Sequence, residues 1–211
     1  MPIMISSAAI RAHGPCKGRW KVHLKHLGKT RPSKTLYPFE TCLDSNGFND
    51  ALWALRAVEG HDGAVRLFAC CCAKRVLPVF EKEYPDNKLP REAIETAERF
   101  ARGEATTEEL DAARDAADRD AADWDAADWD PARVAARIAV RAAAWDAAWA
   151  VARAVARDAT RAADWAAAAR DAADRDTADW DAADWDAAED DFADEFRRMC
   201  RLEGEYGEVD K

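Results

Sequence analysis

The chain has 211 residues, enough for one medium domain. Apolar residues make up 49%, but much of that is alanine, so the core must rest on nine Trp, seven Phe and the scattered Leu, Ile and Val. The net charge of −10 is split: residues 1–39 hold eight Lys or Arg and no acid, leaving −18 on the remaining 172 residues. No run reaches the eighteen or so apolar residues of a membrane span, and the first basic residue, Arg11, follows the short apolar start, which is not a secretory pattern. The six cysteines (Cys16, Cys42, Cys70, Cys71, Cys72 and Cys200) have no disulfide-framework spacing, so a reducing cytoplasm is the expected setting.

Residues 1–40 open the chain. Gly14, Pro15, Gly18, Gly28 and Pro32 argue against one long helix. Trp20, Val22 and Leu24 alternate with Lys21, His23 and Lys25, the pattern of a short strand, but the charge and the breakers predict a flexible basic arm. Within it His13, Cys16, His23 and His26 have zinc-compatible residue types at spacing H-x2-C-x6-H-x2-H. That spacing fits no standard finger, so no metal and no other cofactor is expected.

A helical subdomain is expected over residues 41–110. Phe48, Leu52 and Leu55 lie at helical spacing, with Gly60 where a C-terminal cap belongs. A second helix should start at Asp62 and show one face through Val65, Phe68, Cys72, Val76, Val79 and Phe80, with a bend at Pro78. In it the thiols of Cys70, Cys71 and Cys72 diverge by about 100° per residue and cannot converge on one metal, and Cys72 reads as core. After the loop Tyr84–Asn87, Pro90 sits at a first helical position, and a buried stripe runs through Ala93, Ile94, Ala97, Phe100 and Ala101 to Gly103. Thr106 and Glu109 form a capping-box pattern that opens the next helix.

Residues 111–200 form an Ala/Asp/Trp-rich repeat region, with 201–211 as a tail. Residues 115–130 and 171–186 agree at fifteen of sixteen positions at an offset of 56, with Thr177 in place of Ala121. The unit has five residues. Pentapeptide β-solenoids share that period but need several stacked coils, and each run supplies about one. Alanine is the strongest helix former, so helix is expected over 104–130 and 131–170. In the central segment Val134, Ile138, Trp145 and Trp149 fall within about 60° of each other. Segment 104–130 is net −9, segment 131–161 net +4 and segment 164–195 net −11. The expected fold is therefore all-α: a bundle of long antiparallel Ala-rich helices with the basic one between the acidic ones.

A five-residue step turns a helix by about 140°, so successive pentads cannot all face the core. The expected partner-binding residues are Asp123, Trp124, Asp125, Asp128, Trp129, Asp179, Trp180, Asp181, Asp184 and Trp185. Asp supplies charge, and Trp supplies apolar anchors where it escapes the core. No phosphate loop, dinucleotide fingerprint or nucleophile–base signature is present, and no carboxylate pair stands out as acid and base. No enzymatic activity is expected.

Residues 44–110 resemble the alanine-rich, all-α immunity proteins of bacterial polymorphic toxin systems, relatives of which occur in phage-like contexts. The match is carried by Ser45-Asn46-Gly47-Phe48-Asn49-Asp50-Ala51-Leu52-Trp53, Arg66-Leu67-Phe68-Ala69, Cys72-Ala73, Arg75-Val76-Leu77-Pro78, Pro90-Arg91-Glu92-Ala93-Ile94-Glu95 and Arg102-Gly103-Glu104-Ala105-Thr106. The resemblance implies an inhibitor that neutralises a protein toxin by binding it, and it brings no catalytic residues. The acidic surface would steer a basic, nucleic-acid-processing partner. The alternative is a phage anti-defence DNA mimic. Two runs of net −6 and −9, each about 30 Å long and side by side, present one charge per ~2 Å against ~1.7 Å for duplex DNA. Nucleic acid itself is expected to bind only through the basic arm, with Trp20 stacking. A solvated acidic scaffold is the remaining reading.

Overall fold

A computed structural model describes residues 1–122, 159 and 183–209. Among these are eight α-helices and one two-stranded antiparallel ribbon, so the protein is all-α in class. The central stripe Val134, Ile138, Trp145 and Trp149 and the antiparallel order of the long helices lie outside the described residues.

The basic segment is not an arm. Strand β1 (Met4–Ser6) pairs with β2 (Leu36–Pro38), with Ile5 opposite Tyr37. Between them lie α1 (Ser7–Ala12) and α2 (Lys17–His26). Ser6 caps α1 by accepting from the Ala9 N–H at 3.2 Å, and Ser7 exchanges hydrogen bonds with the Ser33 backbone. Trp20, Val22 and Leu24 are helical, not extended: Trp20, His23 and Leu24 form the inner face, whereas Val22 is 47% exposed beside Lys21 and Lys25. Charge density suggested a solvated tail, but Ile3, Ile5, Ile10, Trp20, Leu24 and Phe39 supply enough apolar area to fold it down.

Helices α3 (Thr41–Asn46) and α4 (Phe48–Ala54) meet at Gly47, whose φ of +81° a side chain would strain. After the 3-10 turn Leu55–Ala57, α5 (Asp62–Glu83) buries residues on most of its circumference and packs chiefly on α6 (Leu89–Ala101). It runs through Pro78, which leaves the Lys74 carbonyl without its usual amide donor. Cys70 and Cys72 are both fully buried. Pro90 opens α6, and α7 (Thr107–Ala122) packs against it. At the start of α7 the capping box closes in both directions: Thr106 N–H donates to Glu109 at 2.8 Å, and Glu109 N–H donates to Thr106 Oγ1 at 3.2 Å. Pentad residues 115–122 are helical here, as are 183–186 in α8 (Ala183–Arg201).

The last helix closes the core. Phe196 is fully buried against Phe39, Phe48 and Phe68, with ring centroids 5.6, 5.9 and 5.5 Å away and the last two edge-on. Such pairs add about 0.5–1.5 kcal/mol each beyond the area they bury. The Ile3 N–H donates to Cys200 O at 2.7 Å, and Phe39 N–H donates to Ile3 O at 2.8 Å, so the two ends of the chain share one core. The expected C-terminal tail joins it too: Tyr206, in the 3-10 turn Gly204–Gly207, is fully buried and Val209 is 7% exposed.

Candidate functional site

Asp123, Trp124, Asp125, Asp128, Trp129, Asp179, Trp180 and Asp181 lie outside the described residues. Asp184 and Trp185 stand on the helical backbone of α8, with their side chains outside the description. What the structure describes is the pair of helices on which the two repeats are rooted, α7 and α8.

On α7 the acids are solvated and locally paired. Arg114 bridges Asp111 at 3.2 Å and Asp115 at 2.8 Å, and Arg99 on α6 reaches Glu109 at 3.3 Å. Backbone donation from Thr106, followed by the bond from Arg99, holds the Glu109 carboxyl below its ordinary range. All of these groups are at least partly exposed, so they contribute little to stability. They leave α7 as a charged, water-facing rod.

On α8 the acids divide. Asp191 and Asp194 are 67% and 78% exposed, whereas Glu195 is only 4% exposed. Glu195 accepts from the Tyr206 hydroxyl at 2.8 Å, from Arg75 on α5 at 3.0 Å and from Arg198 at 3.1 Å. Arg75 also pairs with Asp191 and lies over the Phe192 ring at 5.3 Å. Burial works against the Arg75 charge, but its bonds to Asp191 and attraction to Glu195 more than offset it, so its pKa rises. Burial, the Cys71 thiol and Glu195 push the Tyr206 phenol up, so it stays a donor. Cys71 itself is pushed up by burial and Glu195, which makes it a poor nucleophile. The cluster is a polar bolt that fixes the root of the second acidic run.

Near the N-terminus a cleft of about 160 Å³ opens between α2 and the α3–α4 pair. Trp20, Trp53, Arg19, Asn46 and Asp50 line it, together with Cys16 at its lip. His23 forms part of its floor. Ser45 Oγ commits its proton to the Cys42 carbonyl at 3.3 Å, so His23 Nδ1–H donates to Ser45 at 2.7 Å and Tyr37 O–H donates to Nε2 at 2.8 Å. Burial, with His26 nearby, holds His23 below its usual pKa and keeps it neutral.

That arrangement removes the zinc candidate. Both His23 nitrogens are occupied, while His13, Cys16 and His26 are exposed. Among the described residues no group of three or more His, Cys, Asp or Glu side chains could hold a metal. All six cysteines are free, and burial with Asp44 nearby pushes the Cys42 thiol up to about 12. No helix among the described residues is long and apolar enough to cross a membrane.

Sequence reasoning missed the cleft because Trp20 and His23 were assigned to an arm. Their spacing with Leu24 at i, i+3 and i+4 is the helical signal that could have found it. The bolt gave less warning, since Glu195 is one acid among thirteen in its segment.

A family model described as Imm-5 like putative immunity protein matches residues 59–191. No curated protein and no solved structure matches the chain. The cleft and Glu195 both fall outside the matched span.

Proposed function

This chain belongs to the Imm-5-like immunity protein family, and from that membership we propose that it is a non-enzymatic inhibitor that binds and neutralises a basic protein toxin in the cytoplasm. The single observation that carries the reading beyond the family is the charge partition, with −18 concentrated after residue 39. The two pentad runs supply the docking face through Asp123, Trp124, Asp125, Asp128, Trp129, Asp179, Trp180, Asp181, Asp184 and Trp185. A nucleic-acid-processing partner has the complementary surface. The charge spacing of ~2 Å that the two runs would present if side by side supports, as a second reading, a mimic that occupies a nucleic-acid channel in an anti-defence role.

The test is a sixfold neutralisation of Asp123, Asp125, Asp128, Asp179, Asp181 and Asp184 to Asn. Binding kinetics would be measured against the protein that co-purifies with the wild type. Steering raises association by roughly 10- to 1,000-fold and is screened over about 8 Å in physiological salt. Association of the variant should therefore slow at least about tenfold and lose most of its salt dependence. A wild-type rate with the wild-type salt slope reduces the repeat to a solvated face. A partner that is toxic to cells lacking this chain selects the toxin reading, and a nucleic-acid-channel partner harmless to such cells selects the mimic.

A further inference from the structure

The acid-free segment that opens the chain is folded, and most of its cations are left over. Lys17, Lys21, Lys25, Lys29, Arg31 and Lys34 make no ion pair among the described residues, and all but the half-buried Lys29 are exposed. Elsewhere cations are answered: Arg75, Arg91, Arg114 and Arg201 each meet a carboxylate. The acids of the adjoining residues 40–54 are already engaged, Glu40 with Arg201, Asp44 with Arg197 and Asp50 with Arg19. Six charges of one sign, all within residues 17–34, are therefore not used by the fold.

Their scaffold is specific. Helices α1 and α2 are joined by four residues, His13–Cys16, with Gly14 at φ +68°, which is the connection of a helix-turn-helix. The second helix, α2, turns Trp20, His23 and Leu24 inward. Gly18, Lys21, Val22 and Lys25 are exposed on its other side, within about 100° of one another. Lys17, Lys21 and Lys25 recur at every fourth residue, in steps of about 6 Å along the axis. A Cβ at Gly18 would meet nothing within 4 Å, so the middle of this face is open. Trp20 is only 9% exposed and has no free ring face for a base, which removes the stacking contact expected of a flexible arm.

The chemistry of the face selects its partner. A surface with cations and no acid answers to a polyanion. A helix about 10–12 Å across enters the ~12 Å major groove of B-form DNA, where the second helix of such a motif lies. The deep, narrow major groove of an RNA duplex does not admit it. Val22, the one apolar side chain among the four, suits a thymine methyl. It is too little apolar surface for a helix lying in a lipid interface.

We propose that α2 is a DNA-binding helix, with Gly18, Lys21, Val22 and Lys25 facing the major groove of a duplex while Lys17 and the cations of the following loop rest on its phosphates. The net −18 of residues 40–211 is screened over about 8 Å in physiological salt, so the groups at the contact decide. This surface uses none of the pentad residues assigned to the toxin and stands independently of that reading.

Fluorescence anisotropy of the full chain tests this with a DNA duplex of about 20 base pairs, two turns, and an RNA duplex of the same length. The DNA should bind at least about tenfold more tightly than the RNA. Six cations predict that the logarithm of affinity falls with log salt at a slope of roughly −5. Lys21→Ala and Lys25→Ala, both on the surface, should each make the slope shallower by about 1 with an unchanged melting curve. Gly18→Trp, checked by the same melting curve, should weaken DNA binding at least about tenfold at an unchanged slope, because it adds bulk toward the groove and removes no charge. The proposal is overturned if the DNA does not bind in low salt, if the RNA binds as tightly, if the lysine variants keep the wild-type slope, or if Gly18→Trp binds as the wild type does. Binding to phosphatidylglycerol vesicles without binding to DNA gives the face to a membrane and overturns it too. Self-association that needs Lys21 and Lys25, again without DNA binding, gives the face to the acidic repeat of a second copy and overturns it equally.

Discussion

Helices α7 and α8 are both rich in alanine and acid, and each carries part of an acidic pentad run, yet they are held to the molecule in different ways. Over its described side chains α7 buries only Leu110 and Ala117, and its carboxylates answer to surface arginines. Helix α8 buries Phe192, Ala193, Glu195, Phe196, Met199 and Cys200. One acid on α8, Glu195, is turned inward and becomes the acceptor for three donors from α5, α8 and the final turn. Acidity alone therefore says little about which side of a helix meets water. What separates the two is the break in periodicity: Phe192 and Phe196, four apart, interrupt the pentad and give α8 a face that alanine cannot provide.

The contrast is broken most strongly by removing its apolar half. Phe196→Ala deletes the ring shared by Phe39, Phe48 and Phe68 and should cost about 3–5 kcal/mol. Chemical denaturation would show it, and Leu110→Val on α7 should lose far less. If the two variants lose equal stability, the asymmetry between the helices is false.

Glu195→Leu probes the bolt. It strands the Tyr206 hydroxyl and removes the inner partner of Arg75, which is 26% exposed, and of Arg198, which is 51% exposed. Solvent reaches both arginines, so the loss should be about 2 kcal/mol, below the value for a fully buried pair. A companion Tyr206→Phe variant should destabilise alone but recover part of the loss in the Glu195→Leu background, where it removes the stranded hydroxyl. Additive losses would show that the hydroxyl and the carboxylate are not coupled.

The smallest effect belongs to α7. Thr106→Ala removes one arm of the capping box and should cost about 1 kcal/mol. Amide exchange should rise in the first turn of α7 and stay unchanged in α8. Faster exchange throughout α8 would mean that the two roots unfold as one unit.

The same contrast explains what could be read without coordinates. Thr106 and Glu109, Pro90 and the α5 and α6 stripes were legible because their partners lie within a few residues. The class, all-α, followed from them and from alanine. The basic segment was misread because its burial is decided by Phe196 and Cys200, more than 150 residues away, and no local window contains them. Three alternating residues at Trp20, Val22 and Leu24 mimic a strand over so short a span, and only the exposure of Val22 separates the periods. The cleft was illegible for a related reason: beside it His23 ties α2 to α3 through Ser45 and to β2 through Tyr37, three positions that no spacing rule links.

The hydrogen bond from Ile3 to Cys200 also sets a timetable for the newborn chain. At a synthesis rate of ~5–20 residues per second, the opening strand waits roughly 10–40 s before the segment that completes it has been made. Until then Ile3, Ile5 and Phe39 have no Phe196 to meet, and the chain emerging from the ribosome carries an unfinished core. An interruption of synthesis between Phe39 and Phe196 therefore leaves the opening strand with no completed core to join.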